Sequence, residues 1–172
     1  RIAADNICGG DSRYQGSQGS SVIKVFDMTA AITGINEANA RSSGLDAEAV
    51  ILSPMSHAGY YPGGKVMTMK VVFEKGTYRL LGAQIVGYEG VDKRIDVLAT
   101  AIHAGMKATR LKDLDLAYAP PYSSAKDPVN MAGFMIDNIA KGTLRQWRLE
   151  DAAKLPRDGS VTLLDTRTEG EY

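Results

Sequence analysis

The chain has 172 residues, 44% of them hydrophobic, and twenty Lys plus Arg balance twenty Asp plus Glu. That length and apolar content suit one ordinary domain with a buried core and exclude wholesale disorder, while the zero net charge lacks the basic surface that nucleic-acid binding needs. A single cysteine, Cys8, excludes an internal disulfide, a paired-cysteine redox motif and a cysteine zinc site, and no apolar run approaches the ~20 residues of a membrane span.

Residues 1–8 (RIAADNIC) read as the last turns of a helix, with Gly9 and Gly10 as the stop, because glycine takes the left-handed conformation past a helix end. The chain opens at Arg1 rather than Met and stops just after a strand-like run at 161–164, so both ends are expected to be cut. Residues 11–19 are Gly-, Ser- and Gln-rich without periodicity and read as a linker. The β-branched run 21–28 (SVIKVFDM) predicts a strand. Asn36 or Asn39 starts a short helix that ends near Gly44, and residues 47–52 (AEAVIL) form a second strand. In 65–74 (KVMTMKVVFE), Met67, Met69, Val71 and Phe73 alternate with the intervening positions, the two-residue period of a strand. A turn at 74–77 sends the chain back through 78–88, making an antiparallel hairpin. Val91, Ile95, Leu98, Ala99 and Ile102 then recur at helical spacing, with Gly105 as the stop. A short helix or turn is expected at 111–114. Asp127 followed by Pro128 marks the start of a helix running to about Lys141, with Gly142 as its stop. The predicted fold is α+β, an antiparallel sheet with helices on one face. Residues 145–155 read as a polar connection carrying a short helix.

Two stretches resist any periodicity and are rich in tyrosine and proline: 56–63 (SHAGYYPG) and 117–128 (AYAPPYSSAKDP). They hold four of the eight tyrosines. Proline stiffens a loop, and a stiff loop can present a phenol as a hydrogen-bond donor to an anionic sulfur or a flavin. The alternative is tyrosines packed in the core with their hydroxyls capped by backbone. The charged run 92–96 (DKRID) offers Lys93 and Arg94 to a phosphate or acidic partner, but such a run is more often a solvated helix face. His57 and His103 are too isolated to form a metal-ligand pattern, so no metal site is expected. Cys8 lies at the wrong end of a helix for activation.

Taken together, RIAADNI (1–7), KVFD (24–27), TGINE (33–37), HAGYYPGG (57–64), VGYEGVDKRIDVLATAI (86–102) and LAYAPPYSSAKDPVNMAGF (116–134) resemble the C-terminal part of FAD-dependent pyridine nucleotide-disulfide oxidoreductases, in their coenzyme A-disulfide reductase branch, including forms fused to a rhodanese domain. The resemblance implies that residues 1–10 end an FAD-binding region, 11–19 are a linker, 20–142 are the dimerisation domain, 143–160 are a second linker, and 161–172 (VTLLDTRTEGEY) begin a rhodanese-like domain.

It further implies a homodimer in which this region packs near the partner's flavin and contributes two catalytic tyrosines toward the coenzyme A thiol. They match Tyr60 and Tyr118, with the choice between Tyr60 and Tyr61 open. His57, Tyr61, Pro120, Pro121 and Tyr122 are expected close to substrate or cofactor. The implied full-length enzyme uses FAD and NAD(P)H to reduce CoA disulfide, CoA persulfide or polysulfide. It is expected to be cytoplasmic, a location the low cysteine count also fits, with no nucleic-acid or membrane partner. The redox cysteine and the glycine-rich nucleotide fingerprints of the family are not in this sequence, so the chain alone is expected to bind no cofactor and to be inactive. Two other readings stay open: a non-catalytic protein-interaction module, and part of an oxygen-reducing NADH oxidase.

Overall fold

The computed structural model describes residues 1–166 and residue 168. A helix α1 (Ile2–Ile7) precedes a five-stranded sheet built from β1 (Ser21–Val25), β2 (Met28–Gly34), β3 (Ala47–Leu52), β4 (Met67–Glu74) and β5 (Leu80–Gly87). The strand order is β1-β2-β5-β4-β3, and every pairing is antiparallel. Helix α2 (Glu37–Ser42) joins β2 to β3. After β5 come α3 (Val91–His103), a 3-10 helix (Ala108–Asp113), α4 (Pro128–Ala140) and the short α5 (Leu149–Ala152). The expected α+β class, an antiparallel sheet backed by helices, is the fold found.

The alternation in β4 decides which face is covered. Met67, Met69, Val71 and Phe73 point one way and are buried together with Ile85, Ala83, Leu98, Val129 and Ile136, so α3 and α4 close over that face. Each fully buried side chain of this size contributes roughly 1.5–3 kcal/mol of transfer free energy. A register shift between Val72 and Phe73 places Leu81 with Val72 in a second, smaller cluster, where Ala40 of α2 packs beside Ala47 and Ala49. The buried side of α3 is Val91, Ile95, Leu98 and Ala101, close to the expected stripe. Helix α4 starts as expected at Asp127, whose carboxylate accepts from the Val129 N–H at 3.0 Å while Asn130 Oδ1 accepts from the Asp127 N–H at 3.1 Å. Gly133 lets α4 lie directly on the 3-10 helix, since a Cβ there would collide with the Lys112 amide.

Two expectations are corrected. The single strand at 21–28 is a hairpin: Val25 pairs with Met28, so Phe26 and Asp27 form a two-residue turn. Such a turn is usually signalled by glycine or asparagine, and here Phe26 takes the left-handed φ of 52° instead. The return strand β2, rich in Ala and Thr, carries no strong β signal of its own. The strand expected at 161–164 is not formed. Val161, Leu163 and Leu164 are exposed, and residues 161–166 carry no strand among the described residues. The rest of the expected segment, residues 167 and 169–172, lies outside the described residues.

The connection after α4 is tethered over its first residues. Gln146 accepts from the Ile51 N–H at 3.2 Å and donates to the Ile51 carbonyl at 2.7 Å, filling two positions on the edge strand β3. No helix among the described residues is long and apolar enough to cross a membrane.

Candidate functional site

The two tyrosine-rich loops come together. The first runs from the end of β3 toward β4, and an isolated bridge between Met55 and Val66 closes its base. The second runs from the 3-10 helix to the start of α4. The Ala58 N–H donates to the Ser123 carbonyl at 3.0 Å, joining one loop to the other. Between them and the start of α3 lies a cleft of about 560 Å³, lined by residues that include Ser56, His57, Lys93, Tyr118, Pro121 and Tyr122.

Tyr118 lines this cleft, and its hydroxyl meets at 2.8 Å that of Tyr60, which is not itself a lining residue. Both phenols are accessible, Tyr60 at 76% and Tyr118 at 46%. Whichever hydroxyl donates, the other keeps its proton, so the pair presents one O–H outward, and that O–H is polarised by the internal bond. The Tyr118 pKa lies above the usual phenol value, first because of its hydrogen bond with Tyr60 and then through partial desolvation. Tyr118 therefore keeps its proton at neutral pH.

The other expected residues divide. His57 is buried, with Nδ1 3.1 Å from the Ala58 carbonyl, and its ring meets the Tyr61 ring edge-on at 5.6 Å. His57 thus shapes the first loop, and Tyr61 packs on it. Pro121 and Tyr122 line the cleft with Tyr118. Pro120 is half-buried in the turn beside them and is not among the lining residues. Cys8 is exposed on the far N-terminal segment.

At the base of the cleft lies a buried charge cluster that corrects the reading of residues 92–96 as a solvated face for Arg94, while Asp92 and Asp96 are exposed as expected. Arg94 is 1% exposed and Asp127 is 3% exposed, and the guanidinium donates to the carboxylate at 2.9 Å. Ser123 Oγ donates to the same carboxylate at 2.6 Å, and Lys93 Nζ stands 3.8 Å from it. Burial opposes ionisation of Asp127. The Ser123 hydroxyl, the Val129 amide and Arg94 more than offset this and hold its pKa below the usual carboxylate range. A positional signal for Arg94 is present in the sequence: it sits three residues after Val91 and four before Leu98, on the apolar stripe. Asp127 is legible only as a helix cap. Gly90, at φ 68°, is required beside this cluster, since a Cβ there would collide with Arg94 Nη1.

Chemically, the cleft offers the Tyr118 hydroxyl with Tyr60 bonded to it, the Lys93 ammonium, the exposed Glu89 carboxylate and mostly apolar or aromatic walls. That set suits a polarizable anion such as a thiolate. Among the described residues there is no group of three or more His, Cys, Asp or Glu side chains placed to hold a metal ion.

Comparison with known proteins agrees with this architecture. Residues 20–129 match the family model described as "Pyridine nucleotide-disulphide oxidoreductase, dimerisation domain". Coenzyme A disulfide reductase of Staphylococcus epidermidis is 38% identical over 134 residues, covering 77% of this chain and 30% of the relative. The Staphylococcus aureus enzyme of the same name is 37% identical over the same span. The chain therefore spans about 30% of the length of these curated relatives. Among solved structures, the reduced CoADR-RHD of Bacillus anthracis superposes with a TM-score of 0.85 at 46% identity, over 90% of this chain and 28% of that one. A NAD-dependent persulfide reductase from A. fulgidus gives 0.78 at 46%, over 83% and 26%. The water-forming NADH oxidase of Lactobacillus brevis, at 24% identity and a TM-score of 0.75 over 83% of this chain and 32% of that one, shares the fold alone. With a family model covering well over half of its residues, and with sheet and helices arranged to match, the chain belongs to the dimerisation-domain family of the pyridine nucleotide-disulphide oxidoreductases.

Proposed function

We propose that this chain supplies half of a shared active site in a flavin-dependent NAD(P)H:disulfide oxidoreductase acting on CoA disulfide, CoA persulfide or polysulfide. In this reading two copies form a homodimer, and Tyr60 and Tyr118 of one subunit face the flavin and redox centre of the other. The observation that carries it is the meeting of the two phenol hydroxyls at 2.8 Å on an accessible rim. The coenzyme A-disulfide and persulfide reductase names of the relatives support the substrate class. Sulfur is also the element most helped by such a pair, because cleaving a disulfide leaves a thiolate that a polarised O–H can stabilise.

The donor set fits the role assigned to coenzyme A. The hydroxyl pair holds the thiol end, the ammonium of Lys93 adds positive potential behind it, and Pro121 and Tyr122 provide the wall nearest the partner's flavin. FAD and NAD(P)H, when bound by the rest of the enzyme, supply the electron pair. This chain's residues orient the sulfur, exclude water and hold a proton at a phenol oxygen. Residues 161–172 remain the proposed opening of a rhodanese-like domain, which would carry persulfide sulfur. The exposed apolar hairpin of β1 and β2, with Val22, Ile23, Val25, Phe26 and Met28 open, supports an assembly in which more of this surface is covered.

The test is the Tyr60→Phe/Tyr118→Phe double variant of the full-length enzyme. Turnover with CoA disulfide is expected to fall by roughly 10²-fold, the order seen when a preorganised donor is removed, with flavin content unchanged. Unaltered turnover removes the assigned role of the tyrosines.

A further inference from the structure

We propose that Arg94 is the positioning residue of the tyrosine pair: its buried guanidinium fastens both tyrosine loops and fixes the separation of Tyr60 and Tyr118. The kinetic consequence rests on the function proposed above. The positioning itself rests on the geometry of the cluster.

Arg94 projects from the first turn of α3, and its fork reaches both loops at once. Nη2 donates to the Ser56 carbonyl at 2.8 Å, four residues before Tyr60. The same nitrogen lies 3.3 Å from the Tyr122 carbonyl, four residues after Tyr118, and 3.3 Å from Ser123 Oγ. Nε and Nη2 grip Asp127 at 3.2 and 2.9 Å, and Asp127 is the residue at which the second loop becomes α4. Nη1 closes onto the Gly90 carbonyl at 3.2 Å, anchoring the fork to its own helix. One planar group therefore ties the start of α3, the root of the first loop and the end of the second. Among the described residues, the Ala58–Ser123 backbone bond and the phenol contact itself are the other hydrogen bonds that join the two loops.

The residue type is not arbitrary. Asp127 needs a buried cation, and a lysine could neutralise it. Only a planar fork can serve the carboxylate and carbonyls from two loops in fixed directions. Phenols that are 46% and 76% exposed have little packing to hold them at 2.8 Å, so their separation must be set by the backbone beneath. Displacing a reacting group by ~1 Å is enough to cost up to ~10²-fold in rate.

The experiment compares Arg94→Lys with the parent holoenzyme by two readouts. The first is alkaline titration of phenol absorbance, with the pair's contribution isolated by subtracting the Tyr60→Phe/Tyr118→Phe variant. The other charged and titratable groups that line the cleft, His57, Glu89, Lys93 and Tyr122, are retained, as is Tyr61, which packs on His57. In Arg94→Lys the raised Tyr118 transition is expected to move back toward an ordinary phenol. An unmoved transition in folded Arg94→Lys overturns the proposal. The second readout is kinetic. Arg94→Lys is expected to lower kcat about 10- to 100-fold with KM for CoA disulfide unchanged, and to have no further effect in the double-Phe background. Equal losses in both backgrounds show that Arg94 acts independently of the tyrosines and overturn it. If the transition moves but the double-Phe variant turns over normally, positioning by Arg94 stands and the catalytic role of the tyrosines falls. Should Arg94→Lys fail to fold, Arg94→Gln, which keeps an amide donor but loses the fork, takes its place: the transition must move in the same direction, and a fixed transition refutes the proposal.

Discussion

Asp127 is the residue on which the most structure converges. It caps α4, accepts from Ser123 and neutralises Arg94. Its folded pKa is depressed, so its contribution to stability is complete above the unfolded value of about 3.9. That contribution is lost as pH falls through the lower folded value. Thermal melts from neutral pH downward should therefore show a loss beginning below about pH 4, and Asp127→Asn should flatten that loss while lowering stability at neutral pH. Arg94→Met leaves the carboxylate buried without its cation and should cost about 3–5 kcal/mol in denaturant unfolding. Glu37 is the second buried carboxylate. Arg41 and Arg148 each approach Oε1 at 2.6 Å and Lys70 approaches Oε2 at 2.6 Å. The contacts at Oε1 are ionic rather than aligned hydrogen bonds. Burial opposes its charge, and Lys70 and Arg148 lead the groups that restore it, leaving its pKa below the usual range. At this scale the tyrosines were legible in sequence because their loops break every period. Their support was legible only in part: the place of Arg94 on the apolar stripe marks it as inward-facing, but no local pattern names the carboxylate it meets 33 positions away.

At the scale of elements, β4, β5, α3 and α4 are legible because their apolar periods are long and their stops explicit. Leu98 sits at the centre of the α3 stripe and is fully buried. Leu98→Ala should destabilise by about 2–5 kcal/mol through lost burial and an unfilled cavity. The β1–β2 hairpin is the element sequence reading missed, since a turn made by Phe26 and Asp27 lacks the usual residues. The free edge of β3 is an element-level liability, and Gln146 blunts it by satisfying both backbone groups of Ile51. Gln146→Ala should therefore raise the hydrogen-exchange rate of the Ile51 amide, with a global cost of about 1 kcal/mol. A protection factor unchanged by the substitution would show that the strap contributes nothing to the edge.

For the molecule as a whole, the distribution of apolar surface is uneven. One sheet face is closed by α3 and α4, while the β1–β2 hairpin leaves Phe26 94% exposed and Ile23 61% exposed. A chain of the dimerisation-domain family with such a hairpin is expected to self-associate, and sedimentation at high micromolar concentration should give the mass of a dimer. A strict monomer would count against the proposed homodimer.

Local periodicity and capping chemistry determined, without coordinates, the α+β class, the central hairpin, both long helices and the two loops that hold Tyr60 and Tyr118. These are properties of neighbouring residues, and the spacing of side chains along one chain suffices to state them. Only the tertiary structure decided that the two hydroxyls, 58 positions apart, touch. It also revealed that Arg94 turns inward to bind both loops and that Gln146 returns to the sheet edge. Such pairings depend on where distant backbone segments cross, and no local pattern encodes that distance.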